Sequence, residues 1–72
     1  MKDQVEECEK IVLQEAMRDQ MNGVGRVFIS SLLDMGYSGD VISSSLKRLM
    51  TRYRVVIVGS IIKIYFENRG LK

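Results

Sequence analysis

The run "RVVIVGSIIKIYF", residues 54–66, constrains this chain more than any other stretch. Two β-branched segments flank a two-residue loop that begins with glycine, the chemistry of a tight type II′ hairpin. The loop sets the register: Val58 faces Ile61, Ile57 faces Ile62, Val56 faces Lys63, Val55 faces Ile64 and Arg54 faces Tyr65. Side chains alternate along a strand. Val55, Ile57, Ile62, Ile64 and Phe66 are therefore expected on a buried face, with Arg54, Val56, Lys63 and Tyr65 on the other.

Upstream, the apolar spacing changes from two residues to three and four, the helical period. Residues 3–21 read as a helix. Val5, Cys8, Val12 and Ala16 form one stripe, while Leu13, Met17 and Met21 form a second further round. Asp3, Glu6 and Glu7 sit in its first turns, where carboxylates suit the helix dipole. "NGVG" ends it. Arg26 to Phe28 can form a short extra strand. Residues 29–35 read as a short helix carrying Ile29, Leu32 and Leu33, which Gly36 breaks. Ser38 is the expected N-cap of a third helix over 39–53, with Asp40 in its first turn. Ile42, Leu46, Leu49 and Tyr53 fall on one face of it. Two helices joined by a short glycine-containing turn describe a helix-turn-helix. All of this fits one domain of 72 residues, with a short tail at 67–72.

Charge is distributed unevenly. Residues 1–20 carry six acids against Lys2, Lys10 and Arg18, whereas residues 41–72 carry seven cations against Glu67 alone. From Val41 to Phe66 there are five cations (Lys47, Arg48, Arg52, Arg54, Lys63) and no acid. Such asymmetry is the footprint of a protein that meets nucleic acid or another anionic surface.

The order of elements resembles the winged helix-turn-helix family over roughly residues 5–66. "ISSLLDMGYSGDVISSSLKRL" carries the helix-turn-helix and "RVVIVGSIIKIYF" the wing. The resemblance implies an α+β fold, mainly α: three helices plus a C-terminal two-stranded wing, with the third helix in a DNA major groove. The two-residue wing loop is shorter than the basic loop with which many members enter the minor groove. On a helical wheel, Ser44, Lys47, Arg48 and Thr51 lie opposite the core face, with Val41 and Ser43 at its margins. Short hydroxyls and Lys or Arg forks are the groups that read base edges in a major groove. Arg52, Arg54 and Lys63 flank them, where phosphate contacts orient without reading sequence. The plainer alternative is that Ser43, Ser44 and Ser45 are only a poor helix surface, and that Tyr65 opposite Arg54 is only a cross-strand cation–π pair.

The double stripe on the first helix points to a homodimer through Val5, Cys8, Val12, Leu13, Met17 and Met21, unless one stripe meets the hairpin of the same chain. A dimer would place two recognition helices on successive major grooves. Catalysis is not expected. There is no histidine, Cys8 lies on an apolar stripe that should raise its thiol pKa, and Glu6, Glu7 and Glu9 read as a solvated face. One thiol supplies neither an internal disulfide nor a structural zinc site. No metal, cofactor or small-molecule ligand is implied, and no apolar run is long enough to span a membrane. The expectation is a cytoplasmic regulator in a reducing compartment, nucleoid-associated if it binds duplex DNA. The rival expectation is a winged-helix interaction module of a larger assembly. Single-stranded RNA is a weaker third option, for want of an aromatic stacking platform.

Overall fold

Asp3 starts the first helix by accepting a hydrogen bond from the Val5 amide at 3.0 Å. The computed structural model describes residues 3–66, so the expected tail at 67–72 lies outside the described residues. Helix α1 runs Gln4–Arg18, shorter than the 3–21 span its apolar spacing suggests. It stops early because Asn22 and Gly23 both take positive φ (57° and 82°) and close a two-residue turn. Met21 and Val24 exchange backbone hydrogen bonds at 2.9 and 3.1 Å across it. Paired positive-φ residues of the Asn-Gly kind are the signature of a type I′ hairpin turn, and here the turn feeds a strand.

That strand is β1, Val24–Phe28, two residues longer than expected at its start. Helix α2 follows at once, Ile29–Asp34, placing Leu32 in the core and leaving Leu33 half exposed. Helix α3 is Gly39–Leu49, with Ser38 as N-cap accepting from the Val41 amide at 3.2 Å. It ends four residues short of the expected Tyr53. Thr51 and Arg52 amides bond three residues back, to Arg48 and Leu49 carbonyls, which tightens the last turn and releases the chain into the next strand.

The hairpin forms with the register the loop dictates: β2 is Arg54–Val58, β3 is Ile61–Tyr65, and every one of the five cross-strand pairs is as expected. Gly59 takes φ +62°, and Ser60 does not share the positive φ, as a glycine-first II′ loop requires. The sheet is not two-stranded, however. β1 pairs antiparallel with β3, so the strand order is β1-β3-β2. Two further bonds extend the ladder at its ends, Ile29 N to Ser60 O at 2.9 Å and Phe66 N to Gly23 O at 2.7 Å.

One apolar core lies between the helices and one face of the sheet: Cys8, Val12 and Ala16 from α1, Leu32 from α2, Ile42, Leu46 and Leu49 from α3, and Val27, Ile62 and Ile64 from the sheet. Two expectations need correction. Ile57 points to the helix side yet is 45% exposed, because β2 is an edge strand and only β3 flanks it near the turn. In the stripe Val5, Cys8, Val12, Ala16, the last three are buried within the chain and only Val5 keeps part of its surface. Cys8 and Val12 have no exposed surface, since that stripe packs on the chain's own α3 and β1. Of the six interface residues expected, Leu13 packs partly against the core, and Met17 and Met21 remain exposed.

Candidate nucleic-acid interface

The three serines at the start of α3 separate into two kinds. Ser45 is fully buried, and its hydroxyl lies 2.9 Å from the Val5 carbonyl and 2.8 Å from the Val41 carbonyl. It joins α3 to the first turn of α1, satisfying polar groups that burial would otherwise leave costly. Ser43 and Ser44 are exposed, as is Lys47 one turn later. These three form the solvent face of α3, with Asp40 ahead of them in the first turn.

Arg48 and Arg52 are placed differently. Both guanidiniums converge on Glu9 of α1, Arg48 Nε lying 3.1 Å from Glu9 Oε1 and Arg52 pairing with the other oxygen. Arg48 also approaches Asp3 at 3.8 Å. Glu9 is only 6% exposed, so it is not part of a solvated face. A carboxylate so shielded needs cationic partners, and the two arginines supply them from the far side of the α1–α3 seam. The cleft around this cluster, about 420 Å³, is lined also by Glu6, Lys10, Leu13 and Thr51. Thr51 lies beyond the end of α3 and donates its hydroxyl to the Arg48 carbonyl at 2.7 Å. The Arg52 guanidinium also lies over Tyr53, 5.8 Å from the ring centroid.

Arg54 and Lys63 are brought to a third place, the face of the sheet away from the helices. Arg54 stacks over Tyr65, 5.6 Å from its centroid, which is the cross-strand cation–π pair the register implies. The expected site is therefore divided among a helix face (Ser43, Ser44, Lys47), an ion-paired seam (Arg48, Arg52) and a sheet face (Arg54, Lys63). Sequence reasoning missed two residues of that sheet face, Arg26 and Phe28, which β1 aligns opposite Lys63 and Ile61. The missed signal was "NG" ahead of "VGRVF". Read as a hairpin turn, it would have started the strand at Val24 and given it a partner.

Cys8 is closed off. Burial pushes its thiol pKa above the ordinary 9.0, with Glu7 adding to the rise and a hydrogen bond with Ser45 opposing it. The protonated thiol is the form the fold prefers, so its contribution to stability is complete below the ordinary value and is lost as pH climbs through the raised one. Tyr37, raised by burial first and by Glu7 second, acts in the same direction. The expected result is a urea midpoint that falls above about pH 9, more steeply in the parent than in Cys8→Ala. Equal alkaline slopes in the two proteins would remove Cys8 from this account. A disulfide-exchange reagent should meet the thiol only after denaturant is added.

Among the described residues no cluster of His, Cys, Asp and Glu is arranged to hold a metal ion, and no helix is long and apolar enough to cross a membrane. No family model, curated protein or solved structure matches the chain.

Proposed function

We propose that this chain is a small winged-helix protein that binds double-stranded DNA with α3 in the major groove, acting as a regulator by occupying its site. The observation that carries the reading is one of order and exposure together. The elements run α1-β1-α2-α3-β2-β3 with a β1-β3-β2 sheet, and the face α3 turns to solvent bears two small hydroxyls and a lysine. Ser43 and Ser44 permit close approach to base edges, and Lys47 reaches a guanine or a phosphate. Arg54 and Lys63 would touch phosphates from the side. Arg48 and Arg52 are half exposed but share the charge of Glu9, which lowers what they offer a phosphate while paired. A dimer of the kind the second stripe suggests would pair two copies of α3 on successive grooves, with Met17 and Met21 the exposed part of that stripe.

The test is duplex binding measured across a salt series after selection of a preferred sequence. Lys47→Ala should weaken the selected site by roughly 5- to 100-fold if a base contact is lost. Glu9→Gln should do the opposite, tightening binding to every duplex and steepening the log–log salt slope by about one unit per arginine released. Parent and variants that retain their circular dichroism yet show no salt-dependent binding would overturn the reading. They would favour the rival, an interaction module for another protein.

A further inference from the structure

The face of the sheet that turns away from the helices is itself built as a surface. Strand register aligns nine side chains there in three rows: Val24–Tyr65–Arg54, Arg26–Lys63–Val56 and Phe28–Ile61–Val58. The core lies wholly on the opposite face, where Val27, Ile62 and Ile64 are at most 2% exposed. Three of the nine are cations and none is an acid.

The middle row is the informative one. Arg26 and Lys63 sit directly opposite each other on paired strands. Like charges in that position destabilise a sheet, and a chain folding for stability alone has no use for them. Asp19, at the end of α1, relieves Arg26 from the sheet edge at 3.6 Å, but both groups remain half exposed. No described acid pairs with Lys63 or Arg54. The juxtaposition is explained by an anion that lies across the row. Beside it is a hollow of about 230 Å³, lined by Met21, Asn22, Val24, Arg26 and Lys63.

Aromatic groups bracket these cations. Phe28 is 52% exposed at one end of the face, and Tyr65 lies at the other with the Arg54 guanidinium on its ring. The two rows are four residues apart, roughly 13 Å at the rise of a strand. A ring at each end of a cationic row, Phe28 exposed and Tyr65 half-buried beneath a guanidinium, suits a polyanion whose bases are free to leave their neighbours. A duplex keeps its base faces stacked inside, whereas a single strand can lay them on aromatic and guanidinium planes. A second copy of this chain would instead set cation against cation.

We propose that the outer face of the sheet binds single-stranded nucleic acid, bases stacking on Phe28 and on the Tyr65–Arg54 pair while phosphates lie along Arg26 and Lys63. This site shares Arg54 and Lys63 with the proposed duplex contact but none of Ser43, Ser44 or Lys47, and it stands whether or not duplex binding does.

The experiment is fluorescence anisotropy of the full chain with labelled uridine and thymidine oligomers, run beside a duplex at low and moderate salt. Both single strands should bind, and a preference for either is still support. Phe28→Ala and Tyr65→Ala should each weaken single-strand binding by roughly 5- to 100-fold. Arg26→Ala should lower the salt slope by about 0.7. Phe28→Leu keeps apolar bulk at the end of β1 while removing the ring, so its loss of binding with an unchanged thermal midpoint separates stacking from folding. Lys47→Ala should leave single strands unaffected, and Phe28→Ala should leave the duplex unaffected. Failure of the parent to bind either oligomer, or binding indifferent to both rings, overturns the proposal. So does a Phe28 substitution that changes sedimentation of the free protein and not its nucleic-acid affinity, because the face would then be a protein interface.

Discussion

Gly25→Ala is expected to destabilise this protein by about 3 kcal/mol, the upper end of overpacking costs. Gly25 is the second residue of β1, opposite Ile64 on the core side of the sheet. A methyl group there would lie 2.2 Å from the Ala16 carbonyl oxygen, 2.6 Å from its carbon and 2.8 Å from its Cα. These are backbone atoms in the last turns of α1, so no rotamer change relieves the clash. Helix and strand must separate, opening the layer between Ala16 and Val27. A chain of this length has roughly 4–11 kcal/mol of total stability, and the loss corresponds to a drop of roughly 12–24 °C in Tm. Gly39→Ala is the control. It opens the first turn of α3 with nothing within 4 Å of the added carbon, and should be neutral or stabilising by up to about 1 kcal/mol. Thermal melts in which the two variants coincide would show that α1 does not rest on β1 as closely as described.

Leu49→Ala should cost about 2–5 kcal/mol, the range for emptying a well-packed leucine site. Leu49 is fully buried as the final residue of α3, and its carbonyl accepts from both Arg52 N (2.9 Å) and Tyr53 N (2.8 Å). The side chain anchors the helix at the point where the backbone turns into β2. Its neighbour Met50 is 47% exposed, so Met50→Ala should stay within about 0.5 kcal/mol of the parent. Urea unfolding of the pair decides the matter, since similar midpoints would mean that α3 rotates relative to the core. Such a rotation would also move Ser43, Ser44 and Lys47 off the solvent face, so the melt doubles as a check on the geometry proposed for duplex binding.

The parts of the fold legible in the sequence are those written in local chemistry. A glycine-first loop between two β-branched runs determines the β2–β3 register residue by residue, because the side-chain period of two leaves no slippage once the turn is chosen. Ser38 marks its helix start because a serine ahead of a polar first turn can satisfy an orphan amide. Ile42, Leu46 and Leu49 define the inner side of α3 by spacing alone. Local chemistry also misled where two codes overlapped. The stripe of Leu13, Met17 and Met21 argued for a helix to residue 21, while Asn22–Gly23 encoded a hairpin turn, and the turn prevailed because β1 gains a full ladder with β3.

The rest was decided by contacts between residues far apart in the chain. Nothing near Glu9 distinguishes it from Glu6 or Glu7. It is buried and paired because α3 crosses α1 so that Arg48 and Arg52 close over it, leaving them in a seam instead of on an open basic face. Ser45 became a tie between helices while Ser43 and Ser44 stayed in solvent, a difference of about 100–160° around one helix that matters only once α1 is in place. Cys8 and Val12 were withdrawn from any interface by the same packing. Insertion of β1 beside β3 set Arg26 against Lys63 and Phe28 beside Ile61, creating a surface from segments more than thirty residues apart. Sequence by itself determined the turns, caps and faces, whose energies depend on neighbours within a few residues. Tertiary structure alone determined which charges are spent on each other and which face outward, because burial and pairing exist only after the elements meet.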